Sequence, residues 1–176
     1  MVDVNQAPGG SNNLDGLPNA EIWALLDAMP DPEIPVISIV ELGIVREVKA
    51  DTERTEVVIT PTYSGCPAMN MIEQDIYRVL REKGFPNPKV RTVLSPAWTT
   101  DWLTEGAKEK LRAYGIAPPP KTSASKKALR GLDTTVHCPH CGSGNTNWIS
   151  AFGSTPCKAL YRCGDCQETF DYFKCH

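Results

Sequence analysis

Two cysteine pairs, Cys138-Pro139-His140-Cys141 and Cys163-Gly164-Asp165-Cys166, stand 21 residues apart. Two such hooks let four thiolates and the neighbouring backbone N–H groups wrap one tetrahedral ion, with the intervening loop bringing the hooks together. Zinc in a closed four-sulfur cage is inert and structural, whereas iron in the same cage carries one electron. Spacing does not separate the two. With no flavin or haem motif nearby, structural zinc is the favoured expectation. His137 and His140 could substitute, but four thiols already complete the cage, so the imidazoles are expected outside it.

Cys66 is the isolated thiol of the chain, within Tyr63-Ser64-Gly65-Cys66-Pro67. It follows a β-branched run and precedes a helical pattern that Pro67 suits as a first turn. Unpaired N–H groups and the helix dipole at such a position stabilise a thiolate and are expected to lower its pKa. The alternative is a small buried side chain at a helix start. Asp31 and Glu33 lie on Pro30-Asp31-Pro32-Glu33-Ile34-Pro35, where three prolines forbid helix or central strand and leave a stiff extended loop. They could position a thiol, bind a metal, or serve the turn itself. Cys157 and Cys175 are left over. They read either as small buried hydrophobes or as a second thiol site with His176, which two thiols alone do not complete.

The elements that would position these residues follow from pattern. Asn19 is placed to cap a first helix whose stripe is Ile22, Leu25, Leu26 and Met29. Residues 44–50 and 55–60 read as a β-hairpin about the polar Asp51–Arg54. Met69, Ile72, Ile76, Val79 and Leu80 stripe a second helix that Gly84 stops. Residues 89–94 read as a third strand, and 101–114 as a last helix with Asp101 as cap and Gly115 at its end. The expectation is an α+β domain of order α-β-β-α-β-α over residues 19–117. Residues 1–18, rich in Gly, Pro, Asn and Asp, are expected to be a disordered tail. Residues 118–134, opening on Pro118-Pro119-Pro120, read as a linker. Residues 135–176 are expected to form a small all-β metal domain with strands at 146–152, 157–162 and 169–175. So short a unit has little core, and its metal would supply much of its folding free energy.

Composition restricts partners. The net charge is −3, and residues 135–176 carry three basic and three acidic side chains. A nucleic-acid-binding face needs a basic surplus, so none is expected. No apolar run reaches the ~20 residues of a membrane span, and the N-terminus has no signal-peptide pattern. Six of the seven cysteines fall in the last 39 residues, four of them as hooks, which fits metal binding in a reducing cytoplasm better than disulfides. There is neither a set of inward Glu and Glu-x-x-His helices for a di-iron bundle nor a dinucleotide glycine fingerprint.

Three segments resemble the iron–sulfur cluster assembly domain of the MIP18 and SufT kind: Asp31 to Val45, Thr60-Pro61-Thr62-Tyr63-Ser64-Gly65-Cys66-Pro67, and Leu94-Ser95-Pro96-Ala97-Trp98. The tail, from Phe152-Gly153-Ser154-Thr155-Pro156-Cys157 to Cys163 and from Phe170 to Cys175, resembles the PaaD (PaaJ) family of bacterial phenylacetate degradation, which joins the same two domains. The resemblance implies a non-catalytic auxiliary subunit of the phenylacetyl-CoA epoxidase system, a multicomponent monooxygenase. It would help to assemble an iron–sulfur or other metal centre in the oxygenase or reductase subunits. Asp31, Glu33, Thr60 and Cys66 match the family's motif positions, with Cys66 as the transient ligand of a cluster. One thiol is too few for a cluster, and a homo-oligomer would offer more. Cys157 and Cys175 are the further tentative ligands. Two other functions remain open at this point: a scaffold docking oxygenase to reductase, and an iron-loaded electron carrier.

Overall fold

The structure, a computed structural model, describes residues 17–119 and 135–174. The expected tail, nearly all of the expected linker, Cys175 and His176 lie outside the described residues. The chain divides into two compact units, Met1–Trp98 and Thr99–His176.

In the first unit, helix α1 (Leu17–Asp27) is followed by β1 (Val45–Ala50), β2 (Thr55–Ile59), helix α2 (Met69–Glu82) and β3 (Pro88–Thr92). Ile22 and Leu26 of the expected α1 stripe are fully buried. Asn19, expected as the cap, lies inside the helix instead. Strands β1 and β2 form the anticipated antiparallel hairpin. Its turn is tied by Asp51, whose carboxylate accepts the N–H groups of Glu53 and Arg54 at 2.8 and 2.9 Å. Strand β3 lies parallel to β2, because α2 carries the chain back along the sheet before β3 begins. Helix α1 lies against β1 and α2 against β3, and the two helices touch. Ile72, Ile76 and Leu80 bury the inner face of α2. Gly84, at φ 79° in the left-handed region, ends that helix as expected.

The second unit departs from expectation at its start. Residues 99–117 were expected to close the first domain, but they group with the metal module. A 3-10 turn at Thr100–Trp102 leads to helix α3 (Glu105–Ala113). Its cap is Thr104, whose hydroxyl accepts the Ala107 N–H at 3.0 Å, and not Asp101. Gly115, at φ 90°, ends it. There follow β4 (Ile116–Ala117), β5 (Thr146–Ser150), β6 (Lys158–Cys163) and β7 (Thr169–Phe173), in the sheet order β4-β7-β6-β5. The two-residue strand β4, which the sequence did not announce, pairs parallel with β7. That pairing, with Ala117 buried in the same small core as Val136, Cys138, Ala159, Cys163 and Phe170, is what attaches the segment to this unit.

Candidate metal centre and thiol site

The four hook thiols converge. The sulfurs of Cys138, Cys141, Cys163 and Cys166 all lie within 4.8 Å of one another. Cys138 and Cys166 approach to 3.7 Å, and Cys141 and Cys163 to 3.6 Å. A tetrahedral ion with metal–sulfur bonds of about 2.3 Å has sulfur–sulfur edges of about 3.8 Å, so the donor set fits one such ion.

Each hook is shaped by its backbone. The Gly142 N–H donates to Cys138 O at 2.8 Å, and the Cys166 N–H points at Cys163 Sγ at 3.5 Å. The chain leaves each hook through a left-handed residue, Gly142 at φ 77° and Gln167 at φ 66°. Asp165 then braces one hook to the other, accepting from Asn145 Nδ2 at 2.7 Å and from the Ser143 hydroxyl. These two donors hold its carboxyl below the usual range. Crowding splits the thiols. The Cys166 N–H holds Cys163 down at about 7. Cys166 is pushed up to about 12, against the pull of the Glu168 N–H, by burial and by the other thiols. His137 spends its Nδ1 on Gly142 O at 3.1 Å, and neither His137 nor His140 belongs to the cluster.

The other candidates collect in the first unit. Asp31 is buried, and its Oδ1 accepts the N–H groups of Glu33 and Ile34 at 2.9 and 2.8 Å. Its own N–H donates to Ile37 O at 2.9 Å, closing the proline loop on itself. Thr60 is buried at the end of β2. Its hydroxyl donates to Val93 O at 2.8 Å and its N–H to Ile44 O at 2.9 Å, locking the ends of the strands together. Thus Asp31 and Thr60 hold backbone, and the loops they hold border Cys66.

Cys66 is half-buried in a turn before α2, its N–H bonded to Tyr63 O at 3.1 Å. The helix begins at Met69 with Ala68 as its N-cap, not at Pro67. The thiol pKa is raised and not lowered, which corrects the sequence expectation. Burial is the main cause, and the carboxylates of Glu33 and Asp31 add to it. The Ala68 N–H and the Thr62 hydroxyl pull the other way without prevailing. The turn before the helix does supply a helpful N–H, but the proline loop brings two acids near the sulfur from a distant part of the chain. Thr62, a buried hydroxyl on the same turn, was missed; a Thr two residues from the next motif position gave no signal of its own.

Cys157 is buried at the head of β6, with Thr155 Oγ1 at 3.0 Å from its sulfur. Among the described residues it joins no cluster of metal-ligand type.

Fold and site together define a two-module protein, an α+β unit with a guarded thiol followed by a β module built on a four-cysteine metal-binding cluster. Two known families match the chain: the iron–sulfur cluster assembly protein family over residues 19–95 and the PaaD zinc beta ribbon domain over residues 122–174. The chain is 52% identical over 155 residues to a protein of Escherichia coli (strain K12) that is provisionally named as a subunit of 1,2-phenylacetyl-CoA epoxidase. The match covers 88% of this chain and 92% of that one. The chain belongs to the PaaD family. Two solved structures are similar to it over about half its length. One is a domain of unknown function from Bacillus anthracis, with 31% identity, a TM-score of 0.49, and 53% of this chain and 90% of that chain covered. The other is a conserved hypothetical protein from Thermotoga maritima, with 26% identity, a TM-score of 0.46, and coverage of 52% and 91%. No helix among the described residues is long and apolar enough to cross a membrane.

Proposed function

We propose that this chain is an auxiliary subunit of the 1,2-phenylacetyl-CoA epoxidase system in aerobic phenylacetate degradation, and that it assists assembly of an iron–sulfur or other metal centre in the oxygenase or reductase. The observation that carries this reading is Cys66, a half-buried thiol on the turn before α2, inside the part of the chain that matches the iron–sulfur cluster assembly family. The 52% identical relative supplies the system.

The chemistry of the turn suits a transient ligand. Cys66 Sγ keeps its proton because the site is half-buried and faces Glu33 and Asp31. The same two carboxylates that disfavour a bare thiolate favour one whose charge is met by a cationic cargo. A proton returning to Sγ competes with that cargo and helps release it. Asp31 and Thr60 fix the loops around the thiol, and the Glu33 carboxylate lies close enough to act on its charge. In the second module the resident ion is zinc, held by Cys138, Cys141, Cys163 and Cys166. With four thiolates it has no open position, and it supplies folding free energy rather than chemistry.

Cys66→Ala, produced in cells alongside the complete epoxidase system, should lower the iron and sulfide content of the reductase and reduce epoxidation. Normal cluster content together with normal epoxidation removes this reading.

A further inference from the structure

The sheet of the second unit ends on an open edge. Among the described residues β5 pairs with β6 alone. Its sequence, Thr-Asn-Trp-Ile-Ser, holds neither charge nor proline, the devices that normally guard an exposed edge. Trp148, Tyr161 and Phe170 are register partners across β5, β6 and β7, so their side chains share one face. Phe170 stacks on Tyr161 with ring centroids 6.0 Å apart. Exposure climbs along this row from 3% at Phe170 to 61% at Trp148. The row is a piece of core that loses its cover at the last strand. A bulge between Trp148 and Ser150 leaves Ile149 exposed as well, and Phe152 is exposed in the loop that follows.

That loop is held in place. The Gly153 N–H donates to Lys158 O at 2.8 Å, and Asp171 accepts from both the N–H and the hydroxyl of Ser154. Net charge gives the two ends of the edge opposite signs, Lys158 and Lys174 against Asp171 at one end, Asp165 and Glu168 against Arg162 at the other. Beyond the C-terminal end of β5, Lys174 Nζ donates to Ala151 O at 2.9 Å and sits 4.9 Å over the Phe152 ring. Before its N-terminal end, Asp165 is anchored by Asn145 and Ser143.

An edge that is net positive at one end, net negative at the other and carries exposed Trp148 and Ile149 between is complementary to itself. A two-fold antiparallel pairing places each Lys174 end beside the partner's Asp165 end and continues the aromatic face from one sheet into the next. We infer that β5 is the pairing edge of a homodimer, the occupant being a second copy of this chain. Polyanions are poor occupants, since residues 135–176 carry as many acidic as basic side chains. One five-residue edge and three apolar side chains lie at the small end of the interface range, below about 1,200 Å², so the dimer is reversible. The inference does not depend on the assembly role of Cys66.

The test is sedimentation equilibrium of the full-length, zinc-loaded chain over about two decades of concentration. The mass should rise from the 19.3 kDa monomer toward twice that value. Added salt should weaken the association. Trp148→Ser and Ile149→Lys alter residues that are already exposed, so they should keep zinc content and circular dichroism while raising the dimer dissociation constant at least about tenfold. Lys174→Glu should act in the same direction. A chain that stays at 19.3 kDa throughout overturns the inference, as does a dimer that Trp148→Ser and Ile149→Lys leave unchanged.

Discussion

Replacing Asp31 separates its two roles, as an acceptor for the proline loop and as a charge near Cys66. Oδ1 takes the N–H groups of Glu33 and Ile34 at 2.9 and 2.8 Å, and the second of these bonds is buried. Asp31→Ala removes both and leaves the Ile34 N–H without water or partner. A hydrogen bond to a charged group contributes about 1.5–3 kcal/mol and an orphaned buried donor costs about 1–3 kcal/mol; allowing for partial relaxation, the loss is about 2–4 kcal/mol. With a urea m-value of about 1 kcal/mol per M for a unit of this size, the midpoint should fall by at least about 2 M. Asp31→Asn keeps an oxygen acceptor at the same place and should lose less than about half as much. The Cys66 thiol responds to charge instead. Because Asp31 helps to raise its pKa, Asn should shift the pH profile of Cys66 alkylation to lower pH. Hydrogen exchange in peptides from the β1–β2 hairpin reads the stability of the first unit, and mass spectrometry of the Cys66 peptide reads the alkylation. An Asn variant as unstable as the Ala variant would show that the charge, and not the acceptor, holds the loop. An unchanged Cys66 profile in the Asn variant would refute the electrostatic coupling.

Two further outcomes concern the metal module. Stripping the ion with a strong chelator should abolish hydrogen-exchange protection of β5, β6 and β7, since structural zinc contributes about 10–16 kcal/mol and two of the seven residues in that small core are hook cysteines; retained protection would show that the sheet stands without metal. Gly153→Ala should destabilise the same module by about 1–3 kcal/mol, because a Cβ there would overlap Asp171 Oδ1 and drive it from Ser154; urea unfolding within error of the parent would show that Asp171 can move without cost.

Features written in local pattern were legible from the residues. The hooks, the β1–β2 hairpin and the Ile72, Ile76, Leu80 stripe each need only a short window. Features that depend on distant chain were not. Strand β4 is two residues long, too short for any period, and exists because β7 offers it an edge. Asp101 and Thr104 are both acceptable caps, and the 3-10 turn decides for Thr104. At Cys66 the helix start was correctly anticipated in kind, but the sign of the pKa shift was not. That sign is set by burial and by two acids more than 30 residues earlier in the chain.

The Ile116–Ala117 pairing also bears on how the two modules can be inherited or exchanged. The family matches end at residue 95 and resume at residue 122. Helix α3 and strand β4 fall in the gap, belonging to neither recognised module, although they group with the second. A ribbon transplanted from residue 122 onward would take β7 without its neighbour, leaving a bare sheet edge prone to adventitious pairing, and would lose Ala117 from its core. The portable piece is therefore longer than the recognisable one, and its natural seam lies between Trp98 and Thr99.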